Sequence, residues 1–87
     1  MGLFSFSDEE IAAKAVEAAE TAWAAGDTLF AHQLQMGVGS KNDDNRLMNL
    51  TLNGIASVGW KLHSAAPYIN TIGPNREMVL VTFTRPT

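Results

Sequence analysis

The stretch LNGIASVGWKL, residues 52–62, constrains the fold of this chain more than any other. Apolar residues recur at helical spacing up to Val58, Gly59 supplies a helix stop, and a strand opens on Trp60. A tryptophan directly behind a helix-ending glycine is placed to fill the space between a helix and a sheet. The chain of 87 residues is read as a single domain, 1–87. A domain this short buries only about 60–65% of the surface its unfolded form exposes. Its core is therefore small, and leftover apolar surface favours a partner or a second copy.

Ahead of the joint, Ser7 and Glu10 form an S-x-x-E capping box, with Phe6 and Ile11 at the hydrophobic-staple positions. Asp8, Glu9 and Glu10 complement the positive end of the helix dipole, and Gly26 ends the helix predicted over residues 7–26. Ile11, Ala12, Ala15, Val16, Ala19, Ala22 and Trp23 share one face at helical periodicity. A face made mostly of alanine lets the helix lie close to a sheet or to another helix. Leu3, Phe4 and Phe6 are read as an apolar arm, residues 1–6, that packs on the domain or on a neighbour. Gly2 falls short of the myristoylation pattern, because Phe6 stands where Ser or Thr is needed.

Residues 28–36 alternate as a strand, with Phe30, His32, Leu34 and Met36 on the core side. A Gly, Ser and Asn-rich loop follows, and a second helix starts at Asp43 or Asp44 and runs to Val58. Gly54 on its apolar face predicts a close approach to the sheet. Residues 60–68 form the second strand, with Trp60, Leu62, Ser64 and Ala66 on one side; Pro67 is expected to end its regular pairing or mark an edge. After a turn at Gly73-Pro74, residues 77–84 form a third strand, apolar on both faces and so expected to be central and covered on both sides. The elements run α-β-α-β-β. The expected fold is α+β: a three-stranded sheet in the order first-third-second, a split β-α-β or half ferredoxin-like unit over residues 28–86. The second helix covers one sheet face. The other is left to the first helix, to another subunit, or to both.

Several function classes are disfavoured. A net charge of −3 and six scattered basic residues disfavour a nucleic-acid backbone. Without cysteine there is no disulfide, thiolate metal site or cysteine nucleophile. No apolar run reaches the ~18–20 residues of a membrane span, and a cytoplasmic location is expected.

Leu52-Asn53, Gly59-Trp60-Lys61-Leu62 with Ser64, and Phe83-Thr84-Arg85-Pro86 together resemble a family of very small bacterial and phage proteins, catalogued as domain of unknown function 4177. Its members have a helix ending in a Gly-Trp-(charged)-Leu joint and a last strand closing on Phe-x-Arg-Pro. The resemblance covers roughly residues 29–86. It implies the same fold and carries no established activity.

The chemistry-bearing residues have plain structural roles available. His32 and His63 fall on different strands with the third between them, about 9–10 Å apart, too far to share a metal. Asp43 and Asp44 serve as helix caps. Gly37-Val38-Gly39-Ser40-Lys41 lacks the phosphate-loop pattern. Arg85 is weighed as an anion binder and read as structural. No metal, cofactor or catalytic residue is expected. The expected function is a non-enzymatic interaction module working as a homo-oligomer, with Phe4, Phe6 and Trp23 at the interface. The alternative is a small-ligand binder whose site at a subunit interface uses Trp23, His32, Tyr68 and Arg76. The weaker alternative is a small ferredoxin-like dimeric enzyme with a histidine base.

Overall fold

A computed structural model describes residues 7–35, 44–73 and 75–86. The arm at residues 1–6, Met36, the glycine-rich loop with Asp43, and Pro74 lie outside the described residues, and so do the expectations attached to them. Helix α1 spans Asp8–Ala24, strand β1 Leu29–Gln35, helix α2 Asp44–Val58, strand β2 Lys61–Asn70 and strand β3 Arg76–Thr84. The sheet order is β1-β3-β2, and β3 runs antiparallel to both neighbours. The two outer strands are therefore parallel to each other, as a split β-α-β unit requires.

Local chemistry sets the ends of α1. The Ser7 hydroxyl accepts from the Glu10 amide at 3.1 Å, and the Ser7 amide donates to the Glu10 carboxylate at 3.3 Å, so the capping box is closed. At the other end Gly26 takes a φ of +83°, and its amide and that of Asp27 bond back to the Trp23 and Ala22 carbonyls. This is a Schellman stop, which satisfies carbonyls the helix leaves unpaired.

The helices lie side by side and run the same way. Arg46 of α2 meets Asp8 at the start of α1, Gly54 meets Val16 in the middle, and Gly59 meets Trp23 at the end. A Cβ at Gly54 would come within 2.5 Å of a Val16 methyl carbon. The close approach at Gly54 is thus to α1, not to the sheet. The alanine face of α1 is the other half of that contact.

Both helices cover the same face of the sheet. One buried cluster joins Ala15 and Ala19 of α1, Ile55 of α2 and Trp60 to Phe30, Val81 and Phe83, which share one sheet face by register. The expectation that the first helix could cover the second face of the sheet, and so of β3, is corrected here. β3 is central, but Met78, Leu80 and Thr82 face away from the helices and are only half-buried. Threonines, glutamines and small residues dilute that second face, which an antiparallel sheet can leave in solvent.

β2 departs from expectation in its register and meets it at Pro67, which marks an edge. Its register against β3 shifts between Leu62 and Ser64, where a bulge at His63 inserts one residue. Because side chains alternate, one extra residue exchanges the faces. Leu62 therefore shares a face with Phe83, while Ser64 and Ala66 fall on the opposite one. Pairing also continues through Pro67, opposite Val79, to Asn70. The proline is tolerated because β2 is an edge.

Candidate functional site

The two motif segments meet at the C-terminal end of the helices. Trp60 is 2% exposed, and its indole N–H donates to the Ala19 carbonyl at 3.0 Å. A buried tryptophan needs such a partner for its one polar atom. Its ring meets Trp23 edge-on at 5.2 Å and lies over Phe30 at 5.9 Å. A Cβ at Gly59 would stand 2.7 Å from the Trp23 ring, and φ is +131° there, so only glycine fits.

Arg85 closes the joint from the last strand. It donates through Nε to the Asp27 carbonyl and through a terminal nitrogen to the Trp23 carbonyl, both at 2.6 Å. Its guanidinium carbon sits 4.1 Å from the centre of the Trp23 ring and 5.1 Å from that of Trp60. Neither helix has a basic residue in its last turn. Arg85 brings the missing cation to the end of α1 from 62 residues away. The structural role read for Arg85 is the one it has, and Trp23 is part of the same packing.

At the opposite end Arg46 bonds to Asp8 at 2.8 Å and to Glu9. The Asp8 side chain is 1% exposed. Hydrogen bonding from Arg46 holds the Glu9 carboxyl below its ordinary value, and the same bonds, to Glu9 and then Asp8, raise Arg46. The sequence suggested only a dipole role for these acids. An arginine one turn inside the second helix, against the dipole's preference, was the available signal for a partner.

A cleft of about 390 Å³ opens between α1 and β1. Ile11, Leu34 and Leu47 give it apolar walls, and Lys14 and His32 are its charged and titratable members. His32 is half-buried beside Phe30, with ring centres 6.4 Å apart. Desolvation holds its imidazole below the usual histidine value, so it is neutral at neutral pH.

The four residues expected to bind a ligand do not assemble within one chain. Trp23 is spent on the joint, and His32 lines the cleft. Tyr68 and Arg76 pair with Met78 and Asn70, which puts them on the helix-free face at the hairpin end. His63 sits at the β2 bulge, with β3 between it and His32. Among the described residues no three His, Cys, Asp or Glu side chains are placed to hold a metal ion. No helix there is long and apolar enough to cross a membrane.

One apolar stripe was not foreseen. Leu62, Ala65, Pro67 and Ile69 of β2 share the helix-facing side of the sheet with Val79 and Val81, yet all four are exposed. Leu62 is 45% and Ile69 53% exposed. The bulge creates this stripe, which is why simple alternation missed it. No known family model, curated protein or solved structure matches this chain.

Proposed function

We propose that this chain is a non-enzymatic interaction module that works as a homo-oligomer, of the bacterial and phage type that its Gly-Trp and Phe-x-Arg-Pro segments resemble. The observation that carries the interaction-module part of this reading is the β2 stripe. Its four side chains lie on the sheet's core side but beyond the helices' cover. Ile72 at the adjacent turn is 87% exposed as well, and exposed apolar residues grouped on one part of a surface mark protein contacts.

Sedimentation at micromolar concentration tests the reading. A species heavier than the 9.4 kDa chain is expected. A clean monomer with nothing bound in native mass spectrometry overturns it. The cleft beside His32 favours a second reading, small-ligand binding, since its size falls in the range of ligand pockets. A co-purified small molecule in the same mass spectrum supports that alternative.

A further inference from the structure

The sheet has two outer edges, and they are not alike. The β2 edge carries a bulge at His63 and Pro67, two devices that discourage another strand from pairing there. The β1 edge has neither. Leu29 to Gln35, LFAHQLQ, contains no charge at neutral pH, no proline and no glycine, and it pairs with β3 in unbroken register over all seven residues. Among the described residues nothing pairs with its outer side. An unprotected, uncharged edge is a template for another strand.

The β1 sequence also complements itself. His32 is the middle residue of the seven. When two copies of β1 meet antiparallel about a two-fold axis at His32, Phe30 of one copy lies opposite Leu34 of the other. Leu29 lies opposite Gln35, and Ala31 opposite Gln33. Phe30 and Leu34 are the buried residues of β1, so each pair extends the existing core. With the axis normal to the sheet, both helix layers fall on one side.

We propose that the homo-oligomer is a two-fold dimer built by β1–β1 pairing, with one continuous six-stranded sheet and the β2 stripes at its two outer ends. This rests on the preceding reading and names the surface through which self-association occurs. A C2 contact of one patch with itself is the commonest form of oligomer. The stripes remain free for a different partner.

The dimer is also sensitive to acid. His32 of each copy lies at the axis, faced by Lys14 from α1, Leu47 from α2 and Val81 from β3. Protonation puts two imidazolium groups beside each other and near two lysines, with no carboxylate lining the cleft among the described residues. Dissociation is expected as pH falls below the ordinary histidine value of about 6.5.

Charge placement at Ala31 and Gln33 tests the geometry. Both are exposed on the helix-free face, so neither substitution enters the core. In the proposed register an Ala31→Lys, Gln33→Lys chain sets like charges directly opposite twice, and so does an Ala31→Glu, Gln33→Glu chain. Each alone is expected to weaken the dimer about tenfold or more in sedimentation, with an unchanged circular dichroism spectrum. Mixed in equal amounts, the two chains are expected to restore it as a heterodimer. If both variants stay as heavy as the wild type, β1 pairing is wrong and the oligomer reading stands. If the wild type is itself a monomer, both fall. A second measurement avoids the charges. The chain lacks cysteine, so Ala31→Cys and Gln33→Cys chains, mixed, must be joined by a short thiol cross-linker far faster than Leu62→Cys chains are to each other. Equal rates overturn the proposal.

Discussion

The joint at the C-terminal ends of the helices and the cleft beside β1 are built from similar side chains to opposite effect. At the joint, Trp23 meets Trp60, Phe30 stacks on Trp60 and Arg85 lies over both indoles, and the Trp60 indole N–H and the guanidinium both have carbonyl acceptors. Beside β1, on the same sheet face, Ile11, Leu34 and Leu47 line a cleft, although Leu34 and Leu47 are themselves almost wholly buried. Trp60, Phe83 and Arg85 of the resemblance motif lie in the closed region and maintain the fold, whereas Leu62 of the same motif is exposed on the β2 stripe.

The sharpest way to break this contrast is at Trp60. Trp60→Ala is expected to cost about 3–5 kcal/mol, the usual loss for a buried aromatic. A small domain holds only about 5–15 kcal/mol in total, so the variant is barely folded in urea titration. An unchanged midpoint would mean that the joint is not the anchor of the core. Arg85→Lys comes next, at about 1–2 kcal/mol. It keeps the charge but loses the planar fork that reaches two carbonyls while stacking on a ring. A lysine variant as stable as the wild type would show that charge alone closes the joint.

Thr51→Val has the opposite sign. Thr51 is fully buried in α2, and its hydroxyl has no hydrogen-bond partner. Replacing it with a methyl group of the same shape removes that penalty, and a gain of about 1 kcal/mol is expected. Destabilisation would reveal an acceptor for the hydroxyl. The smallest effect is at the cleft. The unfolded chain takes up the His32 proton at about pH 6.5, while burial delays uptake in the folded chain. Stability therefore falls as pH drops below that value, and the loss is complete once the folded group is protonated too. His32→Gln is expected to flatten this slope without lowering stability at pH 8. An identical slope in the variant would show that His32 is not its source.

Much of the closed region could be read from the sequence. The capping box of Ser7 and Glu10, the strand order and the burial of Trp60 follow from local signals that point the same way. The placement of α1 could not be read so. An alanine face fits a sheet or a helix equally well, and only the partner glycine at Gly54 decides between them. The β2 stripe was hidden because a bulge leaves no mark in the alternation until the register is known. The Asp8–Arg46 pair was hidden because Asp8 has an adequate local role at its helix start, and the unfavourable place of Arg46 near the start of α2 does not name its partner.

The central position of β3 governs how the chain becomes a protein on the ribosome. β3 follows β1 and β2 in the chain, yet among the described residues it is the only strand that either of them pairs with. Until residues 76–84 leave the exit tunnel, β1 and β2 are solitary strands, and the end of α1 lacks the arginine that secures it. Nascent chains carry β1, and then β2 as well, unpaired until β3 is made, the condition under which chaperones engage them. The three-stranded sheet is complete only when β3 enters between the two strands that preceded it.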